Sequence, residues 1–186
     1  PGQKTIGDAI QSDMLYAFDF DGTLAPIVAN PELARPSQSV IRHMQSLCEL
    51  ANVAVVSGRR IEDVRERLGF TPHYLIGNHG IENDDGARNE SGDEITSVWR
   101  KSLEKRGHQL RQAGIVIEDK GLSFSLHYRI ARDRAQALAT IDDLANTLEP
   151  YPKRIGGKFV VNFLPPDAPD KFHALQALMT KRGFRS

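Results

Sequence analysis

Short runs of consecutive apolar residues alternate, through the first half of the chain, with stretches in which apolar positions recur every three or four residues. Leu15-Tyr16-Ala17-Phe18 is a continuous apolar run, the pattern of a strand buried on both faces. Val40, Ile41, Met44, Leu47 and Cys48 follow at helical spacing, with Pro36 near the start. Val53-Ala54-Val55-Val56 is a second buried run, and it stops at Ser57-Gly58-Arg59. Ile61, Val64 and Leu68 predict a short helix closed by Gly69, and Tyr74-Leu75-Ile76 a third strand ending at Gly77-Asn78-His79-Gly80. Strand, helix, strand, helix, strand implies a parallel sheet with crossover helices, an α/β core.

The pattern changes after a polar stretch from Asn83-Asp84-Asp85-Gly86 to Gly92-Asp93-Glu94, read as a solvated loop. Ile95, Val98, Trp99, Leu103 and Leu110 predict a helix that stops at Gly114. Ile115–Lys120 and Leu122–Arg129 read as a hairpin around Gly121, and Leu138, Ile141, Leu144, Ala145 and Leu148 as another helix. A second hairpin is expected to turn at Gly156-Gly157. Pro165-Pro166 then leads to a last helix with Phe172, Leu175, Leu178 and Met179, closed by Gly183. The expected organisation is a core domain of residues 1–82 and 165–186, interrupted by an α+β cap, or lid, of residues 83–164.

Composition narrows the partners. With 24 basic and 24 acidic side chains in 186 residues, zero net charge gives no reason to expect nucleic acid or a membrane surface. A single cysteine, Cys48, excludes an internal disulfide and fits a reducing cytoplasm, and its place on an apolar stripe makes it a packing residue. No apolar run approaches the roughly 20 residues that span a bilayer. Neither a signal-peptide pattern nor an oligomeric state is legible, and the expected location is cytoplasmic.

The candidate chemistry sits where the first strand ends, at Asp19-Phe20-Asp21-Gly22-Thr23. Two acids alternating on an extended strand would face opposite ways, but a turn at the second brings both towards one site. Two anions that close require a proton or cation, which suggests acid–base or nucleophilic work around a hard cation. Simple solvation of a strand end is the competing reading, and helix capping is disfavoured by Pro26 and Pro31. A calcium loop fails, because Thr23 stands at its fifth position and Asn30 at its twelfth. In parallel sheets ligands collect at the carboxyl ends of strands. Those ends here carry Asp19 and Asp21, Ser57-Gly58-Arg59, and His79. In the later hairpin, Ser123, Ser125, His127 and Arg129 share a polar face, with Glu118 and Lys120 on the partner strand. That face is either solvated or turned to a hydroxyl-rich ligand.

With Asp19-Phe20-Asp21-Gly22-Thr23-Leu24, Ser57-Gly58-Arg59 and Lys171 in this order, the chain resembles the haloacid dehalogenase-type phosphatases. Gly77-Asn78-His79-Gly80-Ile81-Glu82, Glu118-Asp119-Lys120-Gly121, His127-Tyr128-Arg129 and Gly157-Lys158 through Pro165 bring it nearest to the trehalose-6-phosphate phosphatase branch. The resemblance implies a Rossmann-like core with an inserted α+β cap, and magnesium-dependent hydrolysis of a sugar phosphate through an aspartyl-phosphate. It implies Asp19 as nucleophile and Asp21 as acid and base, with the Asp19 carboxylate and Asp21 carbonyl on Mg²⁺. Ser57, Gly58 and Lys171 would hold the phosphate. Thr23, Arg59, His79, Glu118, Lys120, His127, Arg129 and Asn162 are the candidate substrate contacts.

The sequence departs from that family at named places. Asn162-Phe163-Leu164-Pro165 stands where the pattern is Glu-x-Arg/Lys-Pro, which leaves the sugar open. Phe172 follows the motif lysine where glycine is usual, and is expected to crowd the phosphate loop. The family's Asp-Asp metal pair is expected beyond one more strand, and the sequence runs to Gly183-Phe184-Arg185-Ser186. A fragment, weakly active or inactive, is therefore expected. Asp84-Asp85, Asp142-Asp143, Asp167 and Asp170 are poor substitutes. A phosphatase for another sugar phosphate and a non-catalytic sugar-phosphate-binding protein are the alternatives.

Overall fold

The computed structural model describes residues 13–28, 30–84 and 90–185, and for residues 90 and 91 the backbone alone. The chain divides into two compact units, Pro1–Ala87 with Pro169–Ser186, and Arg88–Ala168. No helix among the described residues is long and apolar enough to cross a membrane.

In the first unit, β1 (Leu15–Asp19), β2 (Asn52–Val56) and β3 (Tyr74–Gly77) form a parallel sheet, to which β4 (Glu82–Asn83) adds an antiparallel edge. Helices α1 (Gln38–Leu50) and α2 (Ile61–Leu68) are the crossovers. Ser37 caps α1 by accepting from Val40 N at 3.3 Å, and Gly69, with φ of 70°, closes α2. Phe20, Val53, Val55, Ile61, Val64 and Leu68 are buried together, each contributing about 1.5–3 kcal/mol of transfer free energy against the cost of ordering the chain. Cys48 packs half-buried at the edge of that core, and burial raises its thiol pKa. Strand register positions the site. Asp19 pairs with Val56 and Val56 with Ile76, so the three strand tips are level and the loops after them emerge side by side.

Helix α5 (Lys171–Arg182) belongs to this unit, capped by Asp170 and closed by Gly183. Its inward stripe is Lys171, Ala174, Leu175, Leu178 and Met179, which are half-buried. Phe172 therefore falls one step around the helix, 67% exposed and edge-on to His173, not on the expected apolar face.

The second unit is an α+β layer pair. Strands β5 (Val116–Asp119), β6 (Phe124–His127), β7 (Lys153–Gly157) and β8 (Val160–Leu164) form an antiparallel sheet in the order β5-β6-β8-β7. Helices α3 (Glu90–Gln112) and α4 (Arg134–Ala145) contribute Trp99, Leu103, Leu110, Ile141 and Leu144 to one core with Phe124, Leu126, Val161 and Phe163. Buried Trp99 keeps its indole N–H satisfied on the Pro150 carbonyl at 3.0 Å. Helix α3 begins at Glu90, so Gly92-Asp93-Glu94 are helical and not part of the expected loop. Residues 85–89 of that loop lie outside the described residues. The second hairpin turns at Lys158-Phe159, not at the glycines, because Gly157 still pairs with Val160. Phe159 takes the positive φ of 63° that the turn requires.

Candidate active site

The site grows from the level strand tips of the first unit. Asp19 is the last residue of β1, and Lys171, at the start of α5, places its Nζ 2.5 Å from Asp19 Oδ1. Both side chains remain accessible, 44% and 41% exposed respectively. Beyond Asp19 the chain makes a tight turn in which Leu24 N and Ala25 N both donate to the Phe20 carbonyl, at 3.1 and 2.9 Å. Gly22, with φ of 88°, permits it, while buried Leu24 and Ala25 anchor it. Thr23 is exposed on this turn.

Asp21 is gripped by Arg59 across the turn. Arg59 Nε donates to Oδ2 at 2.9 Å and to Oδ1 at 3.2 Å, and Nη2 donates to Oδ1 at 2.8 Å. This is a bidentate fork, the strongest form of such a pair. Burial opposes the Arg59 charge, but hydrogen bonds and attraction from Asp21 and then Asp63 outweigh it, so its pKa lies above the usual value. Arg59 thus faces two carboxylates, Asp21 and Asp63.

Ser57, the residue after β2, is fully buried, and its hydroxyl accepts from Arg59 N at 3.1 Å. A side chain at Gly58 would have its Cβ 2.6 Å from His79 Cε1, so the imidazole lies directly on the Gly58 backbone. His79 N donates to the Ser57 carbonyl at 3.1 Å, and Asn78 N donates to the Arg59 carbonyl at 2.6 Å. Asn78, His79 and Gly80 all take positive φ, at 48°, 61° and 115°. That conformation costs a non-glycine residue about 1–2 kcal/mol. Buried Asn78 donates through Nδ2 to Glu82 Oε1 at 3.0 Å, and Glu82 Oε2 accepts from Ile61 N at 2.8 Å. The left-handed turn after β3 thereby braces the Ser57–Arg59 loop and ties it to the start of α2. Gly80 brings this turn onto α5, for a Cβ there would lie 2.6 Å from the Asp170 carbonyl oxygen.

Asp19, Asp21, Ser57, Gly58, Arg59, His79 and Lys171 are thus joined within one unit by these contacts. The sequence pattern assigns no role to the bracing residues Asn78 and Glu82, or to Asp63 behind Arg59. Glu82 is visible as the last member of Gly-x-His-Gly-x-Glu, whereas a helix-surface Asp63 carries no signal.

The remaining candidates lie in the second unit. Glu118 Oε2 and His127 Nε2 are 2.9 Å apart on neighbouring strands. Ser125 donates from its hydroxyl to Asn162 Oδ1 at 2.6 Å, and Asn162 Nδ2 donates to the Ile155 carbonyl at 3.0 Å. Lys120, Ser123, Ser125 and Asn162 are buried, whereas Glu118 is exposed and His127 half-buried, so this polar face is enclosed in part and open to solvent in part. Arg129 is exposed just past β6.

The oxygen-bearing groups at this strand tip that could serve a divalent cation are Asp19 and Asp21, whose carboxylates are paired here with Lys171 and Arg59. Among the described residues no group of three or more acids, histidines or cysteines could hold a metal. Magnesium is characteristically bound by one or two carboxylates, with water and substrate phosphate completing its octahedron, and two hard oxygen donors fit that habit.

Residues 17–185 match the family model for trehalose-phosphatase. A trehalose-phosphate phosphatase of Mycobacterium marinum is 35% identical over 132 residues, which is 67% of this chain and 33% of that protein. One from Mycobacterium leprae is 35% identical over 130 residues, 66% of this chain and 30% of its own. The chain therefore spans about a third of the length of the curated relatives it matches. Among solved structures, a trehalose-6-phosphate phosphatase related protein aligns with TM-score 0.74 at 22% identity, over 90% of this chain and 74% of that one. A sucrose-phosphatase from Synechocystis, in complex with sucrose and phosphate, aligns with TM-score 0.57 at 18% identity, over 94% of this chain and 72% of its own. At these identities the structural likenesses speak to the fold.

Proposed function

The chain belongs to the trehalose-phosphatase family, and from that premise we propose that it hydrolyses a sugar phosphate, trehalose 6-phosphate first, to the free sugar and phosphate. The observation that carries the reading is the Asp19–Lys171 pair at a strand tip, with Asp21 and the Ser57 loop joined to the same cluster. A carboxylate nucleophile, a fixed cation and an acid–base carboxylate are what phosphoryl transfer to an aspartate needs.

In this reading Asp19 Oδ attacks phosphorus as the bond to the sugar oxygen breaks, and Asp21 gives that oxygen its proton. Water then attacks the phosphorus of the aspartyl-phosphate, Asp21 takes the water's proton, and the bond to Asp19 breaks to release phosphate. Lys171, paired with Asp19 before substrate arrives, turns its charge to the phosphoryl oxygens, and the Ser57 hydroxyl and the Gly58 region hold one of them. Thr23 and His79 border the phosphate. Mg²⁺, held by Asp19 and Asp21, would supply Lewis-acid neutralisation of the phosphoryl charge. Glu118, Lys120, His127, Arg129 and Asn162 are assigned to the sugar, and the unit that carries them is read as a cap on a core of the first unit.

A second reading, hydrolysis of a different sugar phosphate, is favoured by Asn162, whose amide is already committed to Ser125 and Ile155. The test is phosphate release, with magnesium, from trehalose 6-phosphate, sucrose 6-phosphate and glucose 6-phosphate. Highest kcat/KM on the trehalose ester supports the first reading, and a better substrate elsewhere in the panel supports the second. No release from any of them, by this chain or by a version extended to the natural stop, would leave a binding protein and refute both.

A further inference from the structure

The grip on Asp21 extends one residue behind Arg59. Three of the four Arg59 contacts go to Asp21, and the fourth runs from Nη1 to Asp63 Oδ2 at 3.1 Å. Asp63 is held in turn by Arg67, whose Nη1 lies 2.6 Å from the other carboxylate oxygen and 3.2 Å from the Asp63 carbonyl. Arg67 is itself largely enclosed, with its side chain 10% exposed. Asp63 and Arg67 lie one turn apart on α2, and Arg59, two residues before the helix begins, reaches Asp63 from its N-terminal side. The Phe20 ring supports the Arg59 guanidinium at 5.4 Å.

We propose that Asp63 is a positioning residue for proton transfer by Asp21, acting through the guanidinium plane of Arg59. A guanidinium is rigid and planar, so fixing Nη1 at Asp63 fixes the plane in which Nε and Nη2 face Asp21. Without Asp63 the two-point contact between Arg59 and Asp21 persists, but the guanidinium edge opposite it loses its anchor and the pair can shift together. Proton transfer is sensitive to that freedom, since a misplacement of about 1 Å can cost about 10²-fold in rate. The bland account is that Asp63 merely stabilises the first turn of α2 through the helix dipole and its four-residue pairs, worth tenths of a kcal/mol to about 1. The two accounts part on kcat, because a helix-stabilising role changes melting temperature and leaves turnover alone.

The inference rests on the hydrolase reading for the role of Asp21, and the experiment separates the two. Asp63→Ala and Asp63→Asn are made in the full 186-residue chain. Measured for each are kcat and KM for phosphate release, Tm, and the ¹⁵N Nε–Hε signal of Arg59, assigned by its loss in Arg59→Lys. In Asp63→Ala the Arg59 signal shifts and broadens while remaining distinct from free arginines, and kcat falls at least about tenfold with KM within about twofold. Asp63→Asn keeps an acceptor for Nη1 and recovers most of kcat. An Arg59 signal unmoved in Asp63→Ala overturns the proposal, as does a kcat within twofold of wild type, whatever happens to Tm. Wild-type protein that releases no phosphate from any sugar phosphate, both as this chain and extended to the natural stop, refutes the hydrolase reading, while the Arg59 signal still decides whether Asp63 holds the guanidinium.

Discussion

Replacing Lys171 by methionine removes one charge, keeps most of the side chain's apolar length, and separates what the Asp19–Lys171 pair does for folding from what it does for chemistry. Both partners are more than a third exposed, so solvent screens the pair and its loss should cost at most about 1 kcal/mol of stability. For a chain of 186 residues that corresponds to a fall in Tm of about 2–4 °C. Capping by Asp170, with His173 N at 2.9 Å, is independent of Lys171 and should keep α5 formed. Catalysis reads a different quantity. A unit charge about 4 Å from a phosphoryl oxygen contributes about 4 kcal/mol at an effective dielectric of 20. Removing one such preorganised group typically costs about 10²–10³ in kcat. Lys171→Met should therefore lower kcat by about 10²–10³ while the protein melts within a few degrees of wild type. Phosphate release under saturating substrate, beside a thermal melt, checks both numbers. A kcat within tenfold of wild type, with the variant folded, would refute the placement of this charge on the transferred phosphoryl group.

The bracing behind the site has measurable consequences of its own. Gly80→Ala combines a positive φ with a Cβ 2.6 Å from the Asp170 carbonyl oxygen, and should destabilise the chain by about 2–4 kcal/mol, read as a shift in denaturation midpoint. Glu82→Ala leaves Ile61 N and the buried Asn78 amide short of an acceptor and should cost about 1–3 kcal/mol by the same measurement. Cys48, whose thiol pKa burial raises, should react with iodoacetamide at pH 7.5 more slowly than free cysteine, and alkylation at the free-cysteine rate would contradict its packed position.

The parts of the fold written in runs of apolar residues are legible in the sequence. β2 and β3 are short apolar runs buried at nearly every position, and the loops after β1, β2 and β3 carry the motif residues. β1 departs from the strand buried on both faces that its apolar run predicts, being half-buried at Leu15, Tyr16 and Phe18 and exposed at Ala17. What escapes such a reading depends on geometry that periodicity does not encode. Phe172 looks like a member of an apolar stripe, but Lys171 takes the inward position and turns Phe172 to solvent. Gly156-Gly157 looks like a turn, yet the two glycines pair in the ladder while Phe159 adopts the left-handed conformation. Among the site residues, Asp19, Asp21, Ser57 and Lys171 announce themselves through motif order. Arg59 is visible, but its partners are not, because the Asp21–Arg59 contact spans 38 residues of chain and Asp63 resembles any charged residue on a helix surface. The Ser125–Asn162 bond is of the same kind, joining two strands 37 residues apart.

The role given to Asp19 is tested most directly by trapping the phosphoryl group. Wild-type protein and Asp19→Asn are mixed with trehalose 6-phosphate and magnesium, quenched in acid within one turnover, and digested for mass spectrometry. Asp19→Asn removes the nucleophilic charge with almost no change in volume, so it should stay folded. A phosphoryl adduct is expected on the wild-type peptide containing Asp19, and neither adduct nor phosphate release from Asp19→Asn. Phosphate release from a folded Asp19→Asn at the wild-type rate, with no adduct in either protein, would contradict that role.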